Sequence, residues 1–553
     1  MDRRVILAVV LMMAIAMLPA VLFKRTPLSN RPISTAPPAP VTATPPAALT
    51  PAPSLDTTVT ATQVPERVVK VTGPLYTYGV STRGARLVEA TLSQYKSMAK
   101  GEGDVPVNLV APHSDLLGLA LLSGGDTVSF RDWDFTPSSE SLDVRSGEAV
   151  LTLQAARGEL GITVTYRFTP DNYLVGVTGQ VTGLGPNGGT LLIGMGPTVR
   201  NTESDSVLHQ RELAIVTKGL KESEKHTLGG LSRAAPTDLA GPFEWVAVKS
   251  KYFVAALFAV DSTVSGSAGR LTALRAMPTD TRKRPAEADI RASLPLPAAG
   301  QFHYSLYAGP LEYHRLRAMG HDFYDVNPYG WPGFRTIIRP VAVAGRWLLV
   351  KMHSLGLAYG VGLILFGIMV RLALWPLNQK AMRSSMAMQA VQPLMKDLQE
   401  RYKNDPQKLQ QEMFKLYKEH NVNPFGGCWP MLIPMPILLA LFFVFQNTIE
   451  LRGAPFLWIT DLSMRDPLFI IPILMGLSMY LVSKIGQLGM ESTPQMKTML
   501  YMMPVMMTVL FFNFPAGLNL YYAVQNVASI PQQWIIAKER QKSAVLRTVS
   551  SKR

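Results

Sequence analysis

The sequence predicts a polytopic α-helical membrane protein with six transmembrane helices and one soluble all-β sandwich domain outside the membrane. Apolar residues make up 47% of the 553 residues and charged residues only 17%, which is too apolar for an ordinary soluble chain of this length. Six apolar runs approach or reach the length that crosses a bilayer as a helix. Between the first two runs, apolar and polar residues alternate in many short segments, as they do in strands.

Changes in composition along the chain give the predicted boundaries. They are an N-terminal transmembrane anchor (1–25), a linker rich in Pro, Ala and Thr (26–65), a β-sandwich domain (66–330), an amphipathic interfacial helix (331–356), transmembrane helix 2 (357–378), a cytoplasmic helical hairpin (379–424), transmembrane helices 3–6 (425–537) and a basic cytoplasmic tail (538–553). The Pro-rich linker cannot bury a core, and we expect it to be an extended, semi-rigid spacer.

The first apolar run, residues 5–23, follows a basic start and has features of both a signal peptide and an anchor. It is almost long enough to span a bilayer, and Lys24 and Arg25 follow it without a small-residue cleavage site. We therefore favour an uncleaved anchor.

Basic residues in the hairpin and tail predict that both termini lie in the cytoplasm and the β domain outside. Cys428 is the only cysteine, so no disulfide can form within the chain.

Alternating runs such as AVLTLQA, ITVTYRF and QFHYSLYAGP predict the strands of the β domain. A helix over residues 310–325, with Pro310 at its start, is expected to close the domain.

The next segment, residues 332–352, has arginines on one side of a helical wheel and apolar residues on the other. Pro340 predicts a kinked helix or two short ones. The segment either lies in the membrane interface or packs against the sandwich.

The hairpin is predicted from apolar stripes on both sides of an Asn-Asp-Pro turn. Asp405 is the expected N-cap of its second helix, and Pro406 the first helical residue.

The net charge of +15 favours acidic partners, and the membrane spans favour lipid among these partners. The sequence contains no P-loop, no H-E-x-x-H and no C-x-x-C motif, which argues against an ATPase and against an obvious zinc or redox site.

Arg371 lies inside the second span, LAYGVGLILFGIMVRLALWPL, six residues from its cytoplasmic end. A charge at the centre of a membrane costs roughly 2.5–3.5 kcal/mol or more, so it usually has a function or a route to the interface. Position alone leaves two alternatives: the side chain extends to the cytoplasmic surface, or it faces a hydrated cavity. Asn378, seven residues further on, lies on the same helical face.

The last predicted span, residues 518–536, carries its polar residues on one helical face. They are Tyr522, Gln525, Asn526, Ser529 and Gln533, at i, i+3, i+4, i+7 and i+11. Such a face either bonds neighbouring helices or lines a water-filled cavity. The second alternative predicts a cavity that opens to the cytoplasm, with Arg371 on the opposite wall. Its positive potential would attract acidic or polar chain segments.

Several stretches closely resemble the YidC family of membrane protein insertases. They are VRLALWPLNQKAMRSSMAM (370–388), VNPFGGCWPMLIPMPILLALFF (422–443), ELR (450–452), DPLFIIPILMG (466–476) and FPAGLNLYYAVQNVASIPQQ (514–533). The resemblance covers residues 331–533 in order. The anchor, spacer and β domain resemble the layout of the Gram-negative members. Many members carry glutamine where this chain has Pro434.

The resemblance implies a non-enzymatic insertase and chaperone of the bacterial inner membrane, acting alone or with the Sec translocon. It implies a five-helix insertase core with a hydrophilic groove, in which Arg371 takes the position of the family's groove arginine. The periplasmic domain would be a β-supersandwich of sugar-mutarotase type. The expected partners are nascent membrane proteins, the Sec translocon, anionic phospholipids and, through the hairpin and tail, the ribosome. No cofactor and no direct contact with nucleic acid are expected.

Two other functions fit parts of the sequence. A channel or transporter would need polar residues along a path to both faces, and the outer halves of the spans are too apolar for that. A membrane-tethered sugar enzyme would need paired carboxylates or a histidine pair in the β domain. His209, His303 and Glu244 are present, but no spacing ties them together.

Overall fold

The computed structural model describes residues 65–259, 270–330, 333–420, 435–488 and 494–550. The chain divides into two compact units, residues 1–63 with 492–499 and residues 64–491 with 500–553. The second unit holds the β domain and most of the described helical residues. The predicted first span, almost all of the linker and the start of the third span, including Pro434, lie outside the described residues.

Strands fill the first half of the described chain and helices the second. The strands are β1 (Val68–Thr72), β2 (Tyr76–Ser81), β3 (Leu87–Lys96), β4 (Pro106–Asn108), β5 (Leu119–Ser123), β6 (Asp126–Ser129), β7 (Thr136–Pro137), β8 (Ser141–Asp143), β9 (Ala149–Arg157), β10 (Leu160–Phe168), β11 (Leu174–Thr182), β12 (Gly189–Gly194), β13 (Ala214–Lys218), β14 (Ser223–Thr227), β15 (Thr237–Phe243), β16 (Trp245–Lys249), β17 (Phe253–Phe258), β18 (Leu271–Pro278), β19 (Ala288–Leu296) and β20 (Gln301–Pro310). The helices are α1 (Ser206–Glu212), α2 (Tyr313–Ala318), α3 (Arg335–Ser354), α4 (Tyr359–Ala390), α5 (Gln392–Arg401), α6 (Pro406–Glu419), α7 (Met435–Asn447), α8 (Ile470–Gly486), α9 (Pro494–Phe511) and α10 (Ala516–Ser550).

The strands form three sheets, in which β1 and β8 are parallel and the other paired strands antiparallel. Their orders are β4-β3-β2-β1-β8, β14-β13-β16-β17-β20-β11-β10-β9-β7 and β15-β18-β19-β12-β5-β6. Alternating side chains face inward, as in β19, where Ala288, Ile290 and Leu294 are buried. One continuous hydrophobic core joins the sheets. The predicted β-sandwich is therefore confirmed.

Two local predictions show where the sequence pattern is ambiguous. The run WVAVKSKYFVAALFAV forms the hairpin of β16 and β17, with Val248 opposite Ala255. Every residue of both strands is buried, which explains why this run does not alternate. The helix predicted from Pro310 begins later, at Tyr313. Pro310 is instead the last residue of β20, where a proline ends the ladder because it has no N–H to donate.

The interfacial segment forms one helix, α3, which continues through Pro340. Its buried face packs against α4 and α7, with Gly345 lying against Phe366 and Leu441. Trp347 lies on the other side and is 56% exposed. One face of α3 therefore packs in the helical core. That its opposite, exposed face lies in the membrane interface remains a prediction.

The hairpin begins as an extension of α4, which runs past the predicted end of the span to Ala390. Its second helix, α6, starts as predicted. Asp405 accepts a hydrogen bond from the backbone N–H of Lys408 at 3.0 Å, and Pro406 is the first helical residue. The Tyr417 hydroxyl lies 3.6 Å from the sulfur of Met395 and connects α6 to α5.

Among the described residues, one helix is long and apolar enough to cross a membrane, Tyr359–Lys380 within α4. Three apolar helices are shorter, at Met435–Asn447, Ile470–Gly486 and Lys497–Phe511. The 35-residue helix α10 has the length, but polar residues interrupt the part that we predict to lie in the membrane. The helical core is therefore present, while the count of six spans remains a prediction.

A buried lysine predicts that the stability of the β domain depends on pH. Lys249 in β16 is 1% exposed and donates a hydrogen bond to the side-chain oxygen of Asn327 at 2.8 Å. Burial, together with the charge of Lys225, lowers the pKa of Lys249 from 10.5 to about 7. Between these values the unfolded chain binds a proton that the folded chain does not, so the free energy of unfolding rises with pH.

We expect Lys249→Met to remove this dependence. Relative to the variant, the wild-type chain should gain stability on the order of 5 kcal/mol between about pH 7 and pH 10.5. Chemical denaturation of the full chain in detergent at several pH values measures the difference. Lys70→Met changes an exposed lysine of β1 and should leave the pH dependence as it is. The same pH dependence in wild type and Lys249→Met would contradict the lowered pKa.

Candidate functional site

Arg371 lies near the middle of α4, where its side chain is half-buried against α10. Its Nη2 donates a hydrogen bond to Oε1 of Gln532 at 2.7 Å. Gln532 is 1% exposed, and its Nε2 donates to the carbonyl of Trp375 at 3.0 Å. A single amide thus links the arginine to the backbone of α4 one turn further along, and this holds the guanidinium between the two helices.

The charge of Arg371 is not cancelled by a neighbour within the described part of the chain. No described acidic side chain forms an ion pair with it, and Gln532 is neutral. The Nε atom of Arg371 is also buried, and no described residue forms a hydrogen bond with it. Buried polar atoms are nearly always hydrogen-bonded, so a free donor on a charged group is unusual. Among the described residues, Arg371 therefore combines an uncancelled charge with an unsatisfied donor.

The predicted polar face of α10 divides between two neighbouring helices. Gln525 faces α4 and donates to the Gly367 carbonyl at 2.7 Å. Asn526 faces α8 and donates to the Ser478 hydroxyl at 3.1 Å. Successive residues of a helix point about 100° apart, so adjacent polar residues reach different partners. Both bonds are of the kind that holds membrane helices together.

The other four predicted residues have separate surroundings. Ser529 donates its hydroxyl to a backbone carbonyl of α10 itself, at 2.7 Å. Gln533 lies against α8, since a Cβ at Gly486 would be 3.1 Å from its Oε1. The Tyr522 hydroxyl is buried and has no hydrogen-bond partner within the described ranges. Asn378 is 7% exposed on α4. The structure therefore brings Gln525 to the helix of Arg371, and Asn526 and Gln533 to α8.

Gln532 is the contact of Arg371 that sequence periodicity missed. It lies seven residues after Gln525, which is about two helical turns, and both side chains donate to carbonyls of α4. The same spacing relates Asn526 and Gln533, which both lie against α8. Sorting the polar residues of α10 into pairs seven apart, instead of one stripe, would have identified it.

The ELR motif joins three parts of the chain. Glu450 forms an ion pair with Arg346 of α3, whose side chain is 2% exposed. Arg452 donates from Nε to both carboxylate oxygens of Glu203 in the β domain, at 2.9 and 3.1 Å. Its remaining donors reach two backbone carbonyls of the β domain, at 2.8 and 3.0 Å. The motif thus fastens the helical core to the β domain, a role that the sequence did not indicate.

The β-domain residues considered for a sugar enzyme have unrelated surroundings. His209 lies in α1, where burial lowers its pKa to about 4. Glu244 lies 3.8 Å from His321, and His303 belongs to β20. Within the described ranges, no group of three or more His, Cys, Asp or Glu side chains is placed to hold a metal ion.

Comparisons with known proteins cover both halves of the chain. Residues 68–343 match the family described as YidC periplasmic domain, and residues 351–543 the family described as 60Kd inner membrane protein. The membrane protein insertase YidC of Chlorobaculum tepidum is 33% identical over 521 residues, which cover 87% of this chain and 84% of that protein. The protein of the same name from Syntrophus aciditrophicus is 30% identical over 564 residues, covering 98% and 100%.

A crystal structure of an active YidC insertase with its first transmembrane domain resolved is also similar. It covers 85% of this chain and 94% of its own, with 18% identity and a TM-score of 0.34. The two family matches and the full-length relatives, taken together, decide the assignment. The chain belongs to the YidC family of membrane protein insertases.

Proposed function

We propose that this chain inserts integral membrane proteins into the inner membrane and helps them fold, alone or with the Sec translocon. Its family consists of insertases and chaperones and not of enzymes. The incoming segment supplies the driving force, because moving apolar surface out of water is favourable by roughly 25 cal/mol per Å². Transfer of such a segment into lipid therefore needs no nucleotide hydrolysis.

The proposed groove runs along α10, with α4 on one side and α8 on the other, and opens to the cytoplasm and the lipid. Its proposed lining consists of Arg371, Asn378, Tyr522, Gln525, Asn526, Ser529 and Gln533, to which the contact with Arg371 adds Gln532. The uncancelled charge of Arg371 is the observation that carries the proposal. A positive charge at this depth lowers the free-energy cost of moving an acidic or polar tail past the apolar part of the membrane.

The proposed topology has six transmembrane helices, with both termini in the cytoplasm. Basic residues favour the cytoplasmic side, and they outnumber acidic ones in the hairpin and in the tail. Both segments would contact the ribosome, and the tail would also bind anionic phospholipids of the cytoplasmic leaflet. Nascent membrane proteins are the proposed substrates.

Reconstitution in liposomes tests this function. A purified one- or two-span substrate, diluted from urea, is expected to become protease-protected several-fold more in liposomes that contain the chain than in protein-free liposomes. No ATP is added, and ion flux is recorded in the same liposomes. Protection no greater than in protein-free liposomes would contradict an insertase. Steady ion flux without substrate would instead indicate a channel.

A further inference from the structure

A cleft of about 1200 Å³ lies between the β domain and the α7–α8 loop, residues 448–469. Its walls come from residues 94–104 and 204–207 on one side and from this loop on the other. Direct bonds hold the walls together. Arg452 binds Glu203, and the Lys251 ammonium donates to a loop carbonyl at 3.3 Å. The cleft is therefore preformed and not a gap between loosely attached parts.

Four basic and four acidic side chains line the cleft, and most of them already have partners. The paired ones, with their partners, are Lys96 (Asp104), Arg452 (Glu203) and Glu450 (Arg346). Asp205 caps α1, and Asp461 accepts a hydrogen bond from a backbone N–H of its own loop. Lys100 and Arg465 are exposed and have no ion pair with any described residue. Asp205 and Asp461 keep their charges but are already bonded to backbone N–H groups. Lys100 and Arg465 are therefore the exposed charged groups of the cleft that an anion can reach.

The exposed apolar face of α8 begins next to the cleft. Phe469 lines the cleft, and its neighbour Leu468 is 58% exposed. The exposed apolar face continues along α8 through Ile473 and Leu477. Trp458, on the same loop, is partly exposed, and tryptophan is enriched where a membrane meets water. The cleft thus borders a surface suited to lipid.

We propose that this cleft binds the phosphate headgroup of a phospholipid from the periplasmic leaflet. Lys100 and Arg465 hold the phosphate, and the acyl chains leave the cleft along Leu468 and Phe469. Basic pockets between transmembrane helices bind anionic headgroups on the cytoplasmic side of membranes, and the same charge attraction would act in a basic cleft on the periplasmic side. A soluble anion would use the two basic residues alone, whereas a lipid would also use the exposed Leu468 beside the cleft. The site is independent of the groove and of the role of Arg371.

Native mass spectrometry of the full chain in detergent, titrated with dioleoyl phosphatidylglycerol, tests the site. Lys100→Gln with Arg465→Gln should raise the dissociation constant of the first lipid roughly 30-fold, because each basic side chain near an anionic headgroup contributes about fivefold. Leu468→Gln should raise it roughly fivefold. The matched control, Lys221→Gln with Lys283→Gln, changes two exposed lysines outside the cleft and should have no effect.

An equal loss of lipid affinity in the Lys100→Gln, Arg465→Gln variant and in the control would reveal a general charge effect and overturn the proposal. Unchanged binding in the cleft variant would overturn it as well. Displacement of the lipid by glycerol phosphate at equal concentration would assign the site to free phosphate instead. Near-UV circular dichroism identifies a variant that does not fold, and the basic pair and Leu468 then test the site separately.

Discussion

Glu203→Gln is expected to destabilise the folded chain by about 3 kcal/mol, because it leaves a buried arginine without its counter-charge. The Glu203 and Arg452 side chains are both 6% exposed. In the wild type, Nε of Arg452 contacts both carboxylate oxygens, so a glutamine can keep only one of these acceptors. Thermal unfolding of the full chain in detergent, together with the rate of limited proteolysis, measures the effect.

The matched control is Glu140→Gln, which breaks an ion pair at the surface of the same domain. Glu140 and its partner Arg67 have side chains that are 87% and 59% exposed. Exposed pairs contribute about 0–1 kcal/mol, so this variant should unfold almost like the wild type. Similar losses in the two variants would mean that burial of the Glu203 pair has no special importance.

A double replacement distinguishes two causes of lost stability, the unpaired charge of Arg452 and the loss of its hydrogen bonds. Burial raises the pKa of Glu203 even though Arg452 opposes the shift, so removing this carboxylate from water costs more than the ion pair recovers. Glu203→Met combined with Arg452→Met should therefore regain much of the stability that Glu203→Gln loses. A double variant that is less stable than the single one would show that the hydrogen bonds of Arg452 to the backbone dominate.

Local sequence pattern predicts the β domain well because alternation is a property of consecutive residues. The alternating runs that predict β9, β10 and β20 correspond to those strands in the structure. Pattern is weaker at the ends of strands, as Pro310 shows. It is silent about contacts between distant residues: Glu203 and Arg452 are 249 residues apart, and no local signal relates them.

Helical periodicity has a related limit in the candidate site. It indicates which residues share a face, but the packing of other helices decides what that face meets. Gln525 and Asn526 are neighbours in sequence, yet one bonds α4 and the other α8. Arg371 can be identified from the sequence, because a charge inside a membrane span is costly. Gln532 can be identified as its contact only when the position of α10 against α4 is known.

Arg371→Ala is expected to slow insertion of a substrate with an acidic exported tail roughly tenfold, the effect of losing one charge-assisted interaction. Arg371→Glu should slow it further, because the new charge repels the tail. A substrate of the same length with a neutral tail should be much less affected. The rate of protease protection in liposomes measures all three. Full insertion of the acidic-tail substrate by both variants would contradict a role for the groove charge.

Substitutions of the adjacent residues Gln532 and Gln533 test whether α10 affects insertion by positioning the guanidinium of Arg371. Gln532→Leu removes the bond that holds the guanidinium, so it should slow the acidic-tail substrate in the wild type and add nothing to Arg371→Ala. Gln533→Leu changes the side chain that lies against α8, and it should have the same small effect in both backgrounds. If Gln532→Leu instead slowed the neutral-tail substrate equally, the amide would serve to pack α10 against α4 and not to position the charge.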